Sequence, residues 1–105
     1  MRIISGKTLK EYCENYPEAA PPLKAWNKVV TEAQWSNHNQ LKQTFGNASV
    51  LNEKRIVFNI IVNKFRMLVD IEYRLRIVFL VWFGTHQQYD KIDSKTISYV
   101  NTDKK

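Results

Sequence analysis

A single cysteine, Cys13, in a chain of 105 residues rules out an intramolecular disulfide, and with no His or Asp partner nearby in sequence it reads as a plain helix residue. Only three glycines are present, none in the spacing of a phosphate-cradling loop. His38 and His86 stand 48 positions apart and far from Cys13, so no metal-ligand spacing emerges and no metal or other cofactor is expected. No Gly-x-Ser-x-Gly elbow points to a serine hydrolase. The longest apolar run, Ile77–Phe83, is far shorter than the roughly 20 residues that cross a bilayer. The opening MRIISGKTLKEY has no apolar signal core, so a cytoplasmic protein is expected.

What is present is charge of one sign, unevenly placed. The net charge is +6. Up to Glu53, six basic residues stand against five acidic ones; from Lys54 onward, ten stand against five. A surplus of this kind suits a polyanionic partner. With 44% apolar and 25% charged residues, the length and composition fit one soluble domain with one core.

The first 46 residues read as helical. Leu9, Tyr12, Cys13 and Tyr16 recur at helical spacing over 5–17, with Ser5 as a candidate cap and Pro17 as the stop. Pro21 and Pro22 are tolerated at a helix start, and Leu23, Trp26, Val29, Val30 and Ala33 then form an apolar stripe. Ser36 is placed to cap a short third helix ending at Gly46. From 47 to 86 the pattern changes to strands: a short one at Ala48–Leu51, then Arg55–Val62, Phe65–Tyr73 and Arg76–Phe83, rich in Val, Ile and Phe. Turns at Val62-Asn63-Lys64 and Tyr73-Arg74-Leu75 make the three longer strands antiparallel neighbours. A short helix is expected at 87–97 and a polar tail at 98–105. The class is α+β, with two to three N-terminal helices packed on a small antiparallel sheet.

Alternation puts Phe65, Met67, Val69 and Ile71 on one face of the middle strand and Arg66, Leu68 and Asp70 on the other. On the last strand it groups Arg76, Val78, Leu80 and Trp82 against Ile77, Phe79, Val81 and Phe83. Helices cover one sheet face; the other stays half open and fringed by arginines. The cationic and protic residues of this half are Lys54, Arg55, Asn59, Asn63, Lys64, Arg66, His86, Tyr89, Asp90 and Lys91. Antiparallel pairing brings the end of the last strand, FGTH at 83–86, back beside the Asn63-Lys64 turn. Arg66, Lys64 and His86 are therefore expected to converge. Arg offers a fork for phosphate, and His titrates near neutrality. Together they suit RNA cleavage in which the 2′-hydroxyl attacks its own phosphate.

The segments SVLNEKRIVFNI (49–60), NKFRMLVDI (63–71) and IVFLVWFGTHQQYDKID (77–93) resemble the HigB toxins of bacterial toxin–antitoxin systems, within the wider RelE-like group of mRNA interferases. Leu23-x-x-Trp26 and the Trp before the third helix strengthen the resemblance. It implies a RelE-like fold and metal-independent, ribosome-dependent cleavage of mRNA that blocks translation. Carried over by position, it implies catalytic roles for Arg66, His86 and Tyr89. It also implies RNA-holding roles for Lys54, Arg55, Lys64 and Lys91, with Asn59 and Asn63 at strand and turn positions of less defined role. The implied partners are mRNA, the ribosome and a helix-turn-helix antitoxin of the HigA type, through which alone the chain would meet DNA. Two departures stand out: Val62 where many relatives have Gly before the turn, and fewer Lys and Arg than RelE uses. The competing readings are a non-catalytic basic module binding RNA or the ribosome, and a protein-interaction domain whose charge only confers solubility.

Overall fold

The computed structural model describes residues 1–4, 6–62 and 64–97. The order is β1 (Arg2–Ile4), α1 (Gly6–Asn15), a 3-10 turn (Pro17–Ala19), α2 (Ala20–Glu32), α3 (His38–Thr44), β2 (Ser49–Val50), β3 (Arg55–Ile60), β4 (Phe65–Glu72), β5 (Ile77–Thr85) and α4 (His86–Tyr89). The helix cap expected at Ser5, the turn residue Asn63 and the 98–105 tail lie outside the described residues.

The α+β expectation holds, but the sheet is five-stranded and mixed, in the order β1-β5-β4-β3-β2. The sequence reading missed β1, which runs parallel to β5 with Arg2 opposite Ile77. Three residues are too few to show an alternation. Only the β5 edge gives them partners.

The helix termini follow local chemistry. Pro21 and Pro22 sit in the first turn of α2, where no amide donor is needed. Asn37, not Ser36, caps α3: its side chain accepts from the Gln40 amide at 2.9 Å. At the other end of the chain α4 is one turn rather than the expected 87–97 helix, and the backbone from Lys91 to Ile97 continues as turns.

Helix-side packing matches the expected faces on β3 and β4. Ile56, Phe58, Phe65, Met67, Val69 and Ile71 join Leu23, Trp26 and Val30 of α2 in the main core. Phe65 and Phe83 stack at 5.3 Å, with the Tyr16 ring edge-on to both. On β5 the strict alternation fails. Leu68 pairs with Trp82 but Val69 pairs with Leu80, so Val81 is an extra, bulged residue. The bulge reverses the parity of the residues beyond it, sending Phe83 into the helix-side core with Val78 and Leu80. Trp82 and Val81 instead join Val57 and Leu68 in a second cluster on the opposite face. That face is not simply half open, since Tyr89, Ile92 and Ile97 pack over it.

A candidate RNA-cleaving site at the end of the sheet

Gly84 does not end β5; the strand runs on to Thr85, opposite Phe65. Gly84 itself faces Arg66 across the ladder. A Cβ there would fall 2.8 Å from the Trp82 ring and 2.5 Å from Gln88 Oε1, so only glycine lets α4 fold down so closely. Thr85 then caps α4 reciprocally: its hydroxyl accepts from the Gln88 amide at 3.1 Å, and its own amide donates to Gln88 Oε1 at 2.9 Å. The hydroxyl of Tyr16, between α1 and the 3-10 turn, donates to the same Oε1 at 3.1 Å, tying α4 to the helix layer.

This anchoring places the first residue of α4. The His86 amide donates to the Lys64 carbonyl at 3.0 Å, which puts the histidine beside the β3–β4 turn, as expected from antiparallel pairing. His86 Nδ1 lies 3.2 Å from Asp90 Oδ2, one helical turn on. A carboxylate at that distance attracts the Nδ1 proton and leaves Nε2 as the nitrogen available to another proton. One strand inward, the Arg66 guanidinium lies over the Tyr89 ring at 5.7 Å from its centroid, and Trp82 flanks that ring at 6.0 Å. His86, Arg66 and Tyr89 are all partly exposed, so the cluster opens to solvent.

The other expected RNA contacts divide by place. Asn59 pairs with Arg66 across β3 and β4, and its amide nitrogen donates to the Asn47 carbonyl at 3.3 Å. Lys64 is at the site but shares an exposed ion pair with Glu18 at 2.9 Å. Lys91 is exposed just past α4. Asn63 lies outside the described residues. Arg55 opens β3 and Lys54 immediately precedes it, so both sit at the far end of the sheet from His86. Arg55 is 8% exposed and its donors are taken up inside the fold. It makes a two-pronged pair with Asp70, through Nε to Oδ1 and through Nη2 to Oδ2 at 3.0 Å. Its Nη1 donates to the carbonyls of Ser94 at 3.0 Å and Ile97 at 2.8 Å. An arginine so enclosed holds the C-terminal segment against the sheet and has no fork left for phosphate.

Four supporting residues were not assigned from sequence. Thr85 and Gln88 carry a readable capping-box spacing, and Asp90 follows His86 at helical i, i+4 spacing. Tyr16 carries no local signal, because it meets Gln88 of α4 only in the folded chain.

In the β3–β4 turn, left-handed backbone falls at Ile61 and Val62, both with φ 55; the Asn63 that the sequence favours for it lies outside the described residues. β-branched residues are costly there, and Val62 is 83% exposed, so no packing offsets the strain. The Lys64 amide closes the turn on the Ile61 carbonyl at 2.9 Å.

The fold is a small α+β domain with a solvent-open cluster of His86, Arg66 and Tyr89 at one end of its sheet, and comparison with known proteins gives the family. Residues 19–92 match the family described as HigB_toxin, RelE-like toxic component of a toxin-antitoxin system, and the chain belongs to that family. It is 25% identical over 92 residues to the mRNA interferase toxin HigB of Escherichia coli K12, covering 86% of this chain and 88% of that protein. The mRNA interferases HigB of Escherichia coli O157:H7 and Shigella flexneri match to the same extent. Membership implies a cognate antitoxin as partner. Among the described residues, no helix is long and apolar enough to cross a membrane.

Proposed function

We propose that this toxin is an endoribonuclease that cuts mRNA on the ribosome and so stops translation in the cytoplasm, with a helix-turn-helix antitoxin of the HigA type as its neutralising partner. The reaction is internal transesterification. The 2′-oxygen loses its proton and bonds to the adjacent phosphorus, the bond to the 5′-oxygen breaks, and that oxygen takes up a proton. The products are a 2′,3′-cyclic phosphate and a 5′-hydroxyl. No metal enters the scheme. His86, with Nδ1 turned to Asp90, exchanges a proton through Nε2. Arg66 stabilises the charge that builds on the phosphorane oxygens. Tyr89, held between Arg66 and Trp82, stacks on or orients the nucleotide. Lys64 and Lys91 hold the flanking phosphates, and Asn59 supports Arg66 from β3.

The observation that supports this reading best is that the His86 amide is bonded to Lys64 beside the β3–β4 turn while Arg66 lies over Tyr89, on the same short helix as His86. The test is expression without antitoxin, with growth and transcript ends followed in parallel. Growth arrest with new transcript 5′ ends is expected, and both should fall by about 100-fold or more in Arg66→Ala and His86→Ala. Undiminished arrest in both folded variants would remove these residues from the site. Arrest with no cut transcript would favour a non-catalytic ribosome-binding module.

A further inference from the structure

The end of the sheet opposite the site is also basic. Arg2 opens β1, Lys54 precedes β3, and Arg74 and Arg76 flank the tip of the β4–β5 hairpin; Arg2, Lys54, Arg74 and Arg76 carry its positive charge at the surface. Leu75 stands between those two arginines, 67% exposed. The tip is held rigidly. The Arg76 amide donates to the Tyr73 carbonyl at 3.1 Å, and the Arg2 amide to the Arg76 carbonyl at 2.7 Å. The Tyr73 hydroxyl lies 2.6 Å from His38 Nδ1 of α3. Arg76 keeps a left-handed backbone, φ 58, so the turn presents its arginines from a fixed and strained frame. Glu53 and Glu72 lie at the same end and cancel part of the charge, which leaves local forks rather than a uniform field.

We propose that this pole is a second contact for RNA, and that the RNA it takes is structured: a duplex backbone of the kind that ribosomal RNA presents. The inference rests on reading the chain as an RNA-cleaving toxin, and it concerns a surface that the cleavage chemistry does not use. Distance sets the ligand class. The eight residue steps from Ile77 to Thr85 on β5 separate the poles by about 27 Å. A stacked strand advances about 3.4 Å per phosphate, so some eight nucleotides would be needed to bridge them. The few nucleotides around a scissile bond cannot reach. The charges also spread across the ends of β1, β5, β4 and β3, about 14 Å in all, a width that suits a duplex better than one strand. Guanidinium forks match phosphate oxygens, and Leu75 between them suits the shallow minor groove of an A-form helix. An acidic protein fits less well, because one isolated leucine offers no apolar centre for a protein interface.

The experiment compares the whole protein with Arg74→Gln/Arg76→Gln and, separately, Leu75→Ser, for binding to purified 30S ribosomal subunits and to a single-stranded pentanucleotide RNA. Salt is varied between about 50 and 200 mM. The double variant should lose about tenfold in 30S affinity, with a salt slope shallower by about 1.5 to 2. Pentanucleotide binding and melting temperature should not change, and Leu75→Ser should lose a smaller factor with an unchanged slope. Wild-type 30S affinity and slope in the double variant would overturn the proposal, as would absence of 30S binding by the wild-type protein. Weakened binding to the cognate antitoxin alone would also overturn it and make the occupant an acidic protein. A 30S defect in the double variant, beside a wild-type protein that cuts no transcript, would sustain this surface and reject the nuclease reading.

Discussion

The imidazole of His86 and the carboxylate of Asp90 face one another at 3.2 Å across a single turn of helix, at the open end of β5. If the carboxylate fixes which nitrogen carries the proton, the two residues act as one unit. Asp90→Asn should then lower cleavage by about tenfold and His86→Ala by more, with the double variant no worse than His86→Ala. Single-turnover cleavage rates on translating ribosomes measure this cycle. Additive losses would show that Asp90 acts independently of the histidine.

Gly84 is the second lever on the same unit. Gly84→Ala places a methyl group 2.8 Å from the Trp82 ring and 2.5 Å from Gln88 Oε1. The capping box with Thr85 must then open or Trp82 must shift, at a cost of about 1–3 kcal/mol by chemical denaturation. Because α4 carries His86 and Tyr89, cleavage per folded molecule should fall as well.

Arg55 is predicted to matter for stability rather than for RNA affinity. Removing its guanidinium strands the Asp70 carboxylate and frees the carbonyls of Ser94 and Ile97. Arg55→Ala should cost about 3 kcal/mol. Its binding to short RNA, measured on the folded fraction, should stay at the wild-type level. A variant with intact stability and weakened RNA binding would return Arg55 to the ligand surface.

Alkaline unfolding should report on Tyr73. Burial pushes its phenol from 10.0 up to about 12. The folded state keeps its proton after the unfolded chain has lost it, so this contribution is complete below pH 10 and disappears as pH rises toward 12. With the ring partly in water, the loss amounts to about 1 kcal/mol. In Tyr73→Phe that part of the decline should vanish, as followed by urea denaturation across the range.

The strained β3–β4 turn offers a gain. Val62→Gly relieves an exposed β-branched residue at φ 55 and should stabilise the protein by up to about 1 kcal/mol, reduced by the added freedom of the unfolded chain. A fall in melting temperature would show that Val62 makes a contact that outweighs its strain.

The class of the fold, the three long strands and the pairing that brings His86 to Lys64 were all legible in the chain. Each depends on periodic apolar residues and short turns, and these act between near neighbours. The family resemblance was legible for the same reason, since its most specific string, GTHQQYDKID, is contiguous.

What the sequence by itself could not determine was decided wherever a residue's partner lies far along the chain. β1 exists because the β5 edge receives it. The bulge at Val81 settles that Phe83 turns to the helices while Trp82 packs with Leu68 on the opposite face. Arg55 looks from its neighbours like any cation beside a strand. Only the register opposite Asp70 and the return of the chain at Ser94 and Ile97 convert it from a candidate ligand into an internal clamp. Local propensity assigns a residue its strand. Charge is assigned its work by whatever the folded chain brings within hydrogen-bonding reach.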